Sequence, residues 1–486
     1  MTTRSDLPPA DAVLPSAQTD RAWAWSWWAI AAALTGVWLW TRLTGLSRSL
    51  WWDEVFTAQR FVGGGPEVIF DPERYSANNH VLFSLLNHWT TGLLGENEIV
   101  MRLWVVGPAL LATVVVVWLL WWRLGPPVAV LALGLITFSA FAATVQTEAR
   151  GYMLGAMAAS VLLAVTVAQA REPTVGADLL AAVAGAVGML SFPPVMMLYL
   201  SHAGVWLLTR RVGKLRLVGF TAASGLVTAL VLRPLLSTML EGADRVGSRR
   251  ADPVTWWSPV IEPLGLVGGR GFEPMLPGPE SVAFWIAALV GVLGVGVCLW
   301  RDRMLGVQLL AALAGTIILL GVVGFHLRDR YIVFLLPHVV AAMAVGFAAA
   351  FGLFRKRHAV WSRAAVLALL ALLAVPGVRA AQQETNVALQ NFKDAAAGIQ
   401  AEQPTVIVMR NPHVGHRYYL GGTGAYEVAD DRDEADELFC DAERPAVYVP
   451  NPDREPEDGP TCLDDARQEG APDRSPDGEM RWYVLD

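Results

Sequence analysis

Apolar runs separated by short polar stretches recur along the first 380 residues of the chain. A helix needs about 20 apolar residues to cross roughly 30 Å of bilayer hydrocarbon, and by that measure the pattern predicts about eleven membrane-spanning helices. They lie near residues 23–44, 99–122, 127–145, 152–170, 178–192, 194–209, 216–239, 281–300, 304–325, 331–354 and 360–380. The fifth and sixth runs meet at Ser191-Phe192-Pro193-Pro194, which is either a turn between two short spans or a kink within one.

The longest stretch between two runs, residues 45–98, carries amphipathic segments of its own. Val55 to Val62 has helical spacing and ends at the helix-breaking Gly63-Gly64-Gly65-Pro66. Asn79 to Leu94 follows, with its apolar residues on one face. Such helices lie along the membrane surface rather than across the bilayer.

Residues 381–486 follow a different pattern. Pro404 to Arg410 and Pro445 to Pro450 have the composition of short strands, and Asn386 to Gln400 has helical spacing. The chain therefore divides into a tail (1–21), a membrane domain (22–380) and a small α/β domain (381–486).

Composition agrees with a polytopic α-helical membrane protein and adds an orientation. Of 486 residues, 54% are hydrophobic and only 17% are charged, and the mean hydropathy is +0.41. Lys and Arg cluster in alternate loops, for example at Arg123, at residues 210–216 and at residues 355–357. Cytoplasmic loops are enriched in these residues, which predicts a cytoplasmic N-terminus and an extracytoplasmic C-terminal domain.

The C-terminal domain also differs from the rest in charge and in cysteine content. It contains about 23 acidic and about 9 basic residues, whereas the net charge of the whole chain is −7. Cys440 and Cys462 both lie in this domain, where the predicted compartment permits a disulfide, and Cys298 lies in a span.

Trp51-Trp52-Asp53-Glu54 places two carboxylates just after the first span. Charges at a membrane border are costly, so this pair is a candidate functional site. The structural alternatives are a solvated surface or a helix N-cap at Asp53. Glu98 and Arg102, four residues apart, are predicted to form an ion pair. His202 and His338 are predicted to be hydrogen-bonded core residues.

Five pieces of sequence occur together in a recognisable order. They are the acidic pair, Asn79-His80 before an in-plane helix, Glu98 with Arg102, "EARGY" at Glu148 to Tyr152, and "RDRYIVFLLP" at Arg328 to Pro337. Over about residues 20–380 this set resembles the GT-C membrane glycosyltransferases, in particular the branch that contains protein O-mannosyltransferases and the lipid A aminoarabinose transferase. The chain departs from the O-mannosyltransferases because it lacks a β-trefoil-sized insert and has Val81 where relatives have proline.

The resemblance implies transfer of a sugar from a polyprenyl-phosphate-linked donor to an acceptor hydroxyl on the outer membrane face, with inversion. Mannose is the first expectation for the sugar and a pentose the second. The expected acceptor is a cell-envelope glycan or glycolipid, which would make the chain a mannosyltransferase of cell wall biogenesis. High Ala, Val, Arg and Gly usage is typical of a GC-rich bacterial genome and hence of a bacterial plasma membrane.

The candidate residues suit this chemistry. An attacking hydroxyl needs a general base, for which Asp53 is the first candidate and Glu54 the second. A departing lipid phosphate needs cations, for which Arg150 and Arg330 are predicted. Further hydrogen-bond donors to the phosphate are predicted at Tyr152, Arg328, Tyr331 and His80. The alternatives are that the arginines only reach for the membrane surface and that His80 only caps a helix.

Cofactors and rival functions follow from what the sequence contains. Asp53, Glu54 and His80 could ligate a divalent cation, although the sequence has no dense ligand cluster. Gly63 to Gly65 lacks the Lys and Ser/Thr of a phosphate loop, and neither a nucleotide nor a nucleic-acid partner is predicted. The rivals are a lipid-linked-sugar flippase or transporter, which commonly shows internal repeats and mid-membrane polar groups, and an inactive scaffold of the same fold.

Overall fold

A computed structural model shows a mostly helical chain with one five-stranded sheet near its C-terminal end. The structure describes residues 21–76, 78–169, 173–209, 212–239, 280–322, 333–354, 359–386, 392–404, 406–410, 418–420, 426–429, 432–442, 445–449, 460–462, 466–472 and 479–485.

The described part of the membrane domain contains sixteen α-helices. They are α1 (Arg21–Leu43), α2 (Trp52–Phe56), α3 (Gly65–Ile69), α4 (Val81–Leu94), α5 (Glu98–Leu124), α6 (Pro126–Phe138), α7 (Ala140–Val145), α8 (Tyr152–Ala168), α9 (Val175–Ser191), α10 (Val195–Thr209), α11 (Lys214–Leu232), α12 (Glu280–Arg301), α13 (Arg303–Leu310), α14 (Thr316–Val322), α15 (Leu336–Ala350) and α16 (Ala359–Asn386).

Each predicted apolar run coincides with one helix or with consecutive helices, but the described residues contain fewer membrane-crossing helices than the predicted count of about eleven. Among the described residues, three helical stretches are long and apolar enough to cross a membrane: Glu98–Leu124, Lys214–Met239 and Val333–Ala350. Seven further apolar stretches contain 10–17 described residues each, two of them within the longer helices α12 and α16. One run, residues 127–145, is divided by a backbone break at Ser139 that averaged hydropathy does not reveal.

The break between α6 and α7 shows how such an interruption is stabilised. Ser139 has an extended backbone, and its side chain accepts a hydrogen bond from the Ala142 amide at 3.1 Å. The carbonyls of Ile136 and Thr137, at the end of α6, accept hydrogen bonds of 2.9 and 3.0 Å from the buried guanidinium of Arg42. The polar groups that the break frees are thus satisfied inside the bundle.

The prolines between α9 and α10 also break the helix. Phe192 lies outside helical backbone, and the amides of Val195 and Met196 bond to the carbonyls of Phe192 and Pro193. Of the two alternatives for this sequence, the structure has the turn between two helices.

The loop between α1 and α5 is helical where its pattern predicted helices. Chain residues 52–62 form α2 and a π-helical turn, Thr57–Val62, and α4 covers most of the predicted second segment. Val55, Ala58 and Phe83 join the same buried core as the spanning helix α5. The loop is therefore packed on the bundle and can hold side chains at fixed positions.

The C-terminal domain is the small α/β unit that its sequence predicts. Its strands are β1 (Val406–Arg410), β2 (Tyr426–Ala429), β3 (Ala446–Val449), β4 (Arg467–Pro472) and β5 (Glu479–Leu485), in the order β2-β1-β3-β5-β4. The pairs β2-β1 and β1-β3 are parallel, and the pairs involving β5 are antiparallel.

Two helices pack on this sheet, α17 (Phe392–Ala401) and α18 (Arg432–Cys440). Phe392 and Ile399 of α17 share a buried cluster with Val447 of the central strand. A disulfide joins Cys440 at the end of α18 to Cys462.

Ion pairs join distant segments of the bundle. Arg123 pairs with Asp302, and Arg216 pairs with Asp178; the charge bias predicted both arginines on one side of the membrane. Asp53 likewise contacts Arg150, which was predicted on its side. The compartment that each side faces stays a prediction.

Candidate functional site

Asp53, Asn78 and Arg150 form a closed hydrogen-bonded triangle. The Asp53 carboxylate accepts a hydrogen bond from Nη1 of Arg150 at 2.6 Å and one from Nδ2 of Asn78 at 2.8 Å. Nη2 of Arg150 donates to Oδ1 of Asn78 at 2.7 Å. Asp53 and Arg150 are 7% and 3% exposed, so water screens this ion pair little.

Three separate segments supply these side chains. Asp53 lies in the first turn of α2, Asn78 precedes α4, and Arg150 lies between α7 and α8. The acidic pair and the "EARGY" sequence, about a hundred residues apart, are thus brought together at one end of the bundle.

Glu54 points to a different partner, because neighbouring residues on a helix project about 100° apart. Its carboxylate accepts hydrogen bonds from Nη2 of Arg102 at 2.9 and 3.2 Å, and also from the amides of Trp51 and Ala149. Both Glu54 and Arg102 are completely buried. Glu54 therefore closes a rigid framework, which favours Asp53 over Glu54 as a reacting group.

Arg102 completes that framework on its other side. Its guanidinium donates to the carbonyls of Leu46, Arg48, Ser49 and Thr147 at 2.8–3.2 Å. The predicted Glu98–Arg102 ion pair was wrong. Local spacing suggested it, but the buried Glu54 carboxylate is a better partner for a desolvated cation than a carboxylate at the helix start.

His80 is held as a neutral imidazole beside this triangle. Its Nδ1 lies 2.9 Å from the Ser191 carbonyl, so Nδ1 carries the proton and donates it to that oxygen. Burial, with the nearby positive charge of Arg150, lowers the pKa of His80 from 6.5 to about 3. Nε2 is then an unprotonated acceptor, and no hydrogen-bond partner faces it among the described residues. In this tautomer the one N–H of His80 is used by the Ser191 carbonyl, and the predicted role of His80 as a donor to phosphate stays a prediction.

Tyr152 packs against both His80 and Arg150. Its ring is 4.9 Å from the His80 ring and 5.4 Å from the Phe192 ring, in edge-to-face geometry in both cases. The Arg150 guanidinium carbon is 4.9 Å from the centre of the Tyr152 ring. Tyr152 thus stacks against the cation of the triangle.

Three predicted residues, Arg328, Arg330 and Tyr331, lie outside the described residues. The described residues contain no group of three or more His, Cys, Asp or Glu side chains that could hold a metal ion. Of the proposed ligands, Glu54 is engaged by Arg102, so the predicted set of Asp53, Glu54 and His80 does not form one cluster there.

Asn78 was missed as a site residue, although it opens the Asn78-Asn79-His80 sequence that drew attention to this loop. Its neighbour Asn79 is structural and donates to the Ile69 carbonyl at 2.7 Å. An asparagine side chain can donate to a carboxylate and accept from a guanidinium at the same time. This chemistry was the sequence feature from which Asn78 could have been predicted as a site residue.

No protein-family profile matches the chain, and no curated protein matches its sequence. Its structure is similar to that of ArnT from Cupriavidus metallidurans in the apo state. The identity is 15%, the TM-score is 0.56, and the match covers 95% of this chain and 98% of ArnT. The chain therefore has the predicted GT-C fold.

Two other solved structures match less well. ArnT bound to undecaprenyl phosphate has 14% identity and a TM-score of 0.49, over 96% of this chain and 98% of that one. The Archaeoglobus fulgidus oligosaccharyltransferase in complex with Zn and sulfate has 13% identity and a TM-score of 0.46, over 80% and 57% of the two chains.

Proposed function

We propose that this chain of GT-C fold is a membrane glycosyltransferase that moves a sugar from a polyprenyl-phosphate-linked donor to an acceptor hydroxyl. The observation that carries the proposal is the buried Asp53 carboxylate, oriented by Arg150 and Asn78 at a bundle end. The shared fold with ArnT, which has also been solved with undecaprenyl phosphate, supports a lipid-linked donor.

Asp53 acts as the general base in this proposal. It takes the proton of the acceptor hydroxyl as the hydroxyl oxygen bonds to the anomeric carbon. The bond from that carbon to the donor phosphate breaks at the same time, and the phosphate leaves with the electron pair. Attack from the face opposite the leaving group inverts the configuration.

Arg150 has two proposed roles that differ in geometry. Its contacts with Asp53 and Asn78 support the role of orienting the base. The sequence also predicts it as a contact of the donor phosphate. In an inverting reaction the base and the phosphate lie on opposite sides of the sugar, so we assign the phosphate chiefly to Arg330 and Arg328, with Tyr331 and Tyr152 as further candidates.

The substrates are proposed from the resemblance. Mannose is the first sugar to test and arabinose or another pentose the second. The acceptor is a cell-envelope glycan or glycolipid, reached from the outer face of a bacterial plasma membrane. This scheme contains no divalent cation, because the positive charges of Arg328 and Arg330 are proposed to neutralise the departing phosphate.

Radiolabel transfer tests the proposal directly. The purified protein in detergent is given polyprenyl-phosphate-mannose or polyprenyl-phosphate-arabinose and a cell-wall glycolipid extract. We expect the wild type to transfer label from one donor and Asp53→Asn to lose about 10²-fold or more of that rate. Glu67→Gln, an exposed acid in the same loop, is the control and should keep full activity.

The rivals give different results in the same assay. A flippase or transporter binds the donor but transfers no label, and it tolerates Asp53→Asn. An inactive scaffold neither transfers label nor depends on Asp53. The wild type failing with both donors would therefore contradict the proposal.

A further inference from the structure

We propose that Tyr419 and Lys393 of the C-terminal domain are positioning residues for Asp53, because they fix the segment Ser47–Leu50 that leads into α2. The catalytic part of this inference rests on the proposed function. The structural part, that the domain holds this segment, stands on contacts alone.

Tyr419 contacts the segment at its last residue. The Tyr419 hydroxyl accepts a hydrogen bond from the amide of Leu50 at 2.8 Å and donates one to Oε1 of Glu98 at 3.3 Å. A phenol can do both at once, since it has one donor and two lone pairs. Burial raises the pKa of the Tyr419 hydroxyl above its ordinary value, which keeps the donor proton in place.

The Tyr419 ring also joins the two hydrophobic cores. It packs against the core of the membrane bundle and against the core beneath the C-terminal sheet. Its neighbour Tyr418 packs on the bundle core too, but among the described residues its hydroxyl bonds to the exposed loop residue Glu96, at 2.9 Å, and not to the segment before α2. The two adjacent tyrosines thus differ in whether they touch the segment before α2.

Lys393 contacts the same segment at two other points. Its amide donates to Oγ of Ser49 at 3.2 Å, and its Nζ donates to the carbonyl of Ser47 at 3.2 Å and to Glu98 at 3.0 Å. Lys393 follows Phe392, which is fully buried in the core of the domain. The lysine backbone is therefore fixed to the folded domain.

The opposite side of the segment is held by the bundle. Arg102 binds the carbonyls of Leu46, Arg48 and Ser49, and it also binds Glu54. Ser47–Leu50 is thus clamped between Arg102 and the C-terminal domain. Leu50 is fully buried and lies three residues before Asp53, so a shift at its amide moves the start of α2.

The test compares Tyr419→Phe with Tyr418→Phe in the full-length protein. Each change removes one hydroxyl and keeps the ring, so both variants should fold, and thermal melting checks this. We expect Tyr419→Phe to increase hydrogen exchange of residues 47–54 about tenfold and to lower kcat of transfer about tenfold, with KM for the donor unchanged. Tyr418→Phe should stay within about twofold of the wild type in each measurement, because its hydroxyl does not contact the segment.

Lys393 gives a second pair of variants. Lys393→Arg keeps a cation with several donors and should retain most of the protection, whereas Lys393→Met keeps only the backbone contact with Ser49 and should lose the protection that Nζ supplies. Unchanged exchange at residues 47–54 in both Tyr419→Phe and Lys393→Met would overturn the inference. Faster exchange with unchanged kcat in an active enzyme would overturn the positioning of Asp53.

The failure of the proposed function gives a separate signature. If the wild type transfers no label from either donor, the glycosyltransferase proposal fails. The exchange comparison then still decides whether the C-terminal domain fixes the segment before α2.

Discussion

Two adjacent carboxylates in this chain have different surroundings and therefore different expected roles. Asp53 is oriented by groups from two other segments at the site, whereas Glu54 is enclosed by Arg102 and two backbone amides. The sequence shows only that the two acids are neighbours. On a helix the two side chains point about 100° apart, so Glu54 faces Arg102 and supports the structure while Asp53 faces the site and can react.

Substituting each acid should separate the two roles. Asp53→Asn removes the counter-charge of the buried Arg150, but that arginine keeps its hydrogen bond to Asn78, so we expect a loss of transfer and a smaller fall in melting temperature than for Glu54→Gln. Glu54→Gln leaves the buried Arg102 cation without its counter-charge, which costs about 3–5 kcal/mol when one partner of a buried pair is removed. Thermal melting in detergent measures the difference, and equal melting temperatures for the two variants would contradict it.

Arg150→Lys distinguishes the two roles proposed for Arg150. Lysine keeps the charge but cannot donate to Asp53 and Asn78 in the same forked geometry. If Arg150 orients the base, kcat should fall about tenfold or more with KM for the donor unchanged. A raised KM with unchanged kcat would instead assign Arg150 to the donor phosphate.

His80 should make the free energy of unfolding depend on pH between about 6.5 and 3. The pKa of His80 is lowered from 6.5 to about 3 in the folded protein. Between these pH values His80 is protonated in the unfolded chain and neutral in the folded chain. Stability from this group is therefore complete above pH 6.5 and is lost as pH falls from 6.5 towards 3. Between pH 6 and pH 4 the wild type should lose up to about 1.4 kcal/mol per pH unit more than His80→Gln, measured by denaturation at each pH. Parallel profiles for the two proteins would contradict a neutral buried His80.

At the scale of the elements, three helix ends around the site pack closely against one glycine, Gly151. Gly151 precedes α8, and a Cβ added there would lie 2.7 Å from Cβ of His80 and 2.9 Å from the Ser191 carbonyl oxygen. The starts of α4 and α8 and the end of α9 therefore meet at a position that has no space for a side chain.

Gly151→Ala should force this junction apart. We expect a loss of about 1–3 kcal/mol in stability, as in other overpacked sites, together with reduced transfer because His80 and the neighbouring Arg150 shift. Gly107→Ala in α5 is the control, since a Cβ there meets nothing within 4 Å. Melting curves and transfer rates of the two variants decide the matter.

The sequence predicted features that depend on neighbouring residues better than features that depend on partners far apart in the chain. Apolar runs predicted the positions of the helices, and the acidic pair with "EARGY" predicted residues that do come together. The break at Ser139 was not predicted, because Arg42, which binds the carbonyls of Ile136 and Thr137 before the break, lies about a hundred residues away in the sequence. The Glu54–Arg102 pair was missed for the same reason, since spacing along one helix reveals only local partners.

The whole molecule offers a test of topology through its cysteines. The disulfide between Cys440 and Cys462 requires an oxidising compartment, as the predicted extracytoplasmic position of the C-terminal domain provides. Protein denatured directly from cells should therefore react with a maleimide reagent at Cys298 only, and at all three cysteines after reduction. Labelling of all three without reduction would contradict the disulfide and its compartment.

The bilayer should be thinner beside α9 and α10 if these two helices cross it, as their sequence predicts. At 1.5 Å per residue, α9 with 17 residues and α10 with 15 are about 26 and 22 Å long, which is shorter than the roughly 30 Å hydrocarbon core. Lipids meet such hydrophobic mismatch by thinning the bilayer beside the short helices. In a thinned ring of lipid the phosphate headgroups lie closer to the bilayer centre. The length of the surrounding acyl chains should therefore change how readily the proposed polyprenyl-phosphate donor reaches the protein.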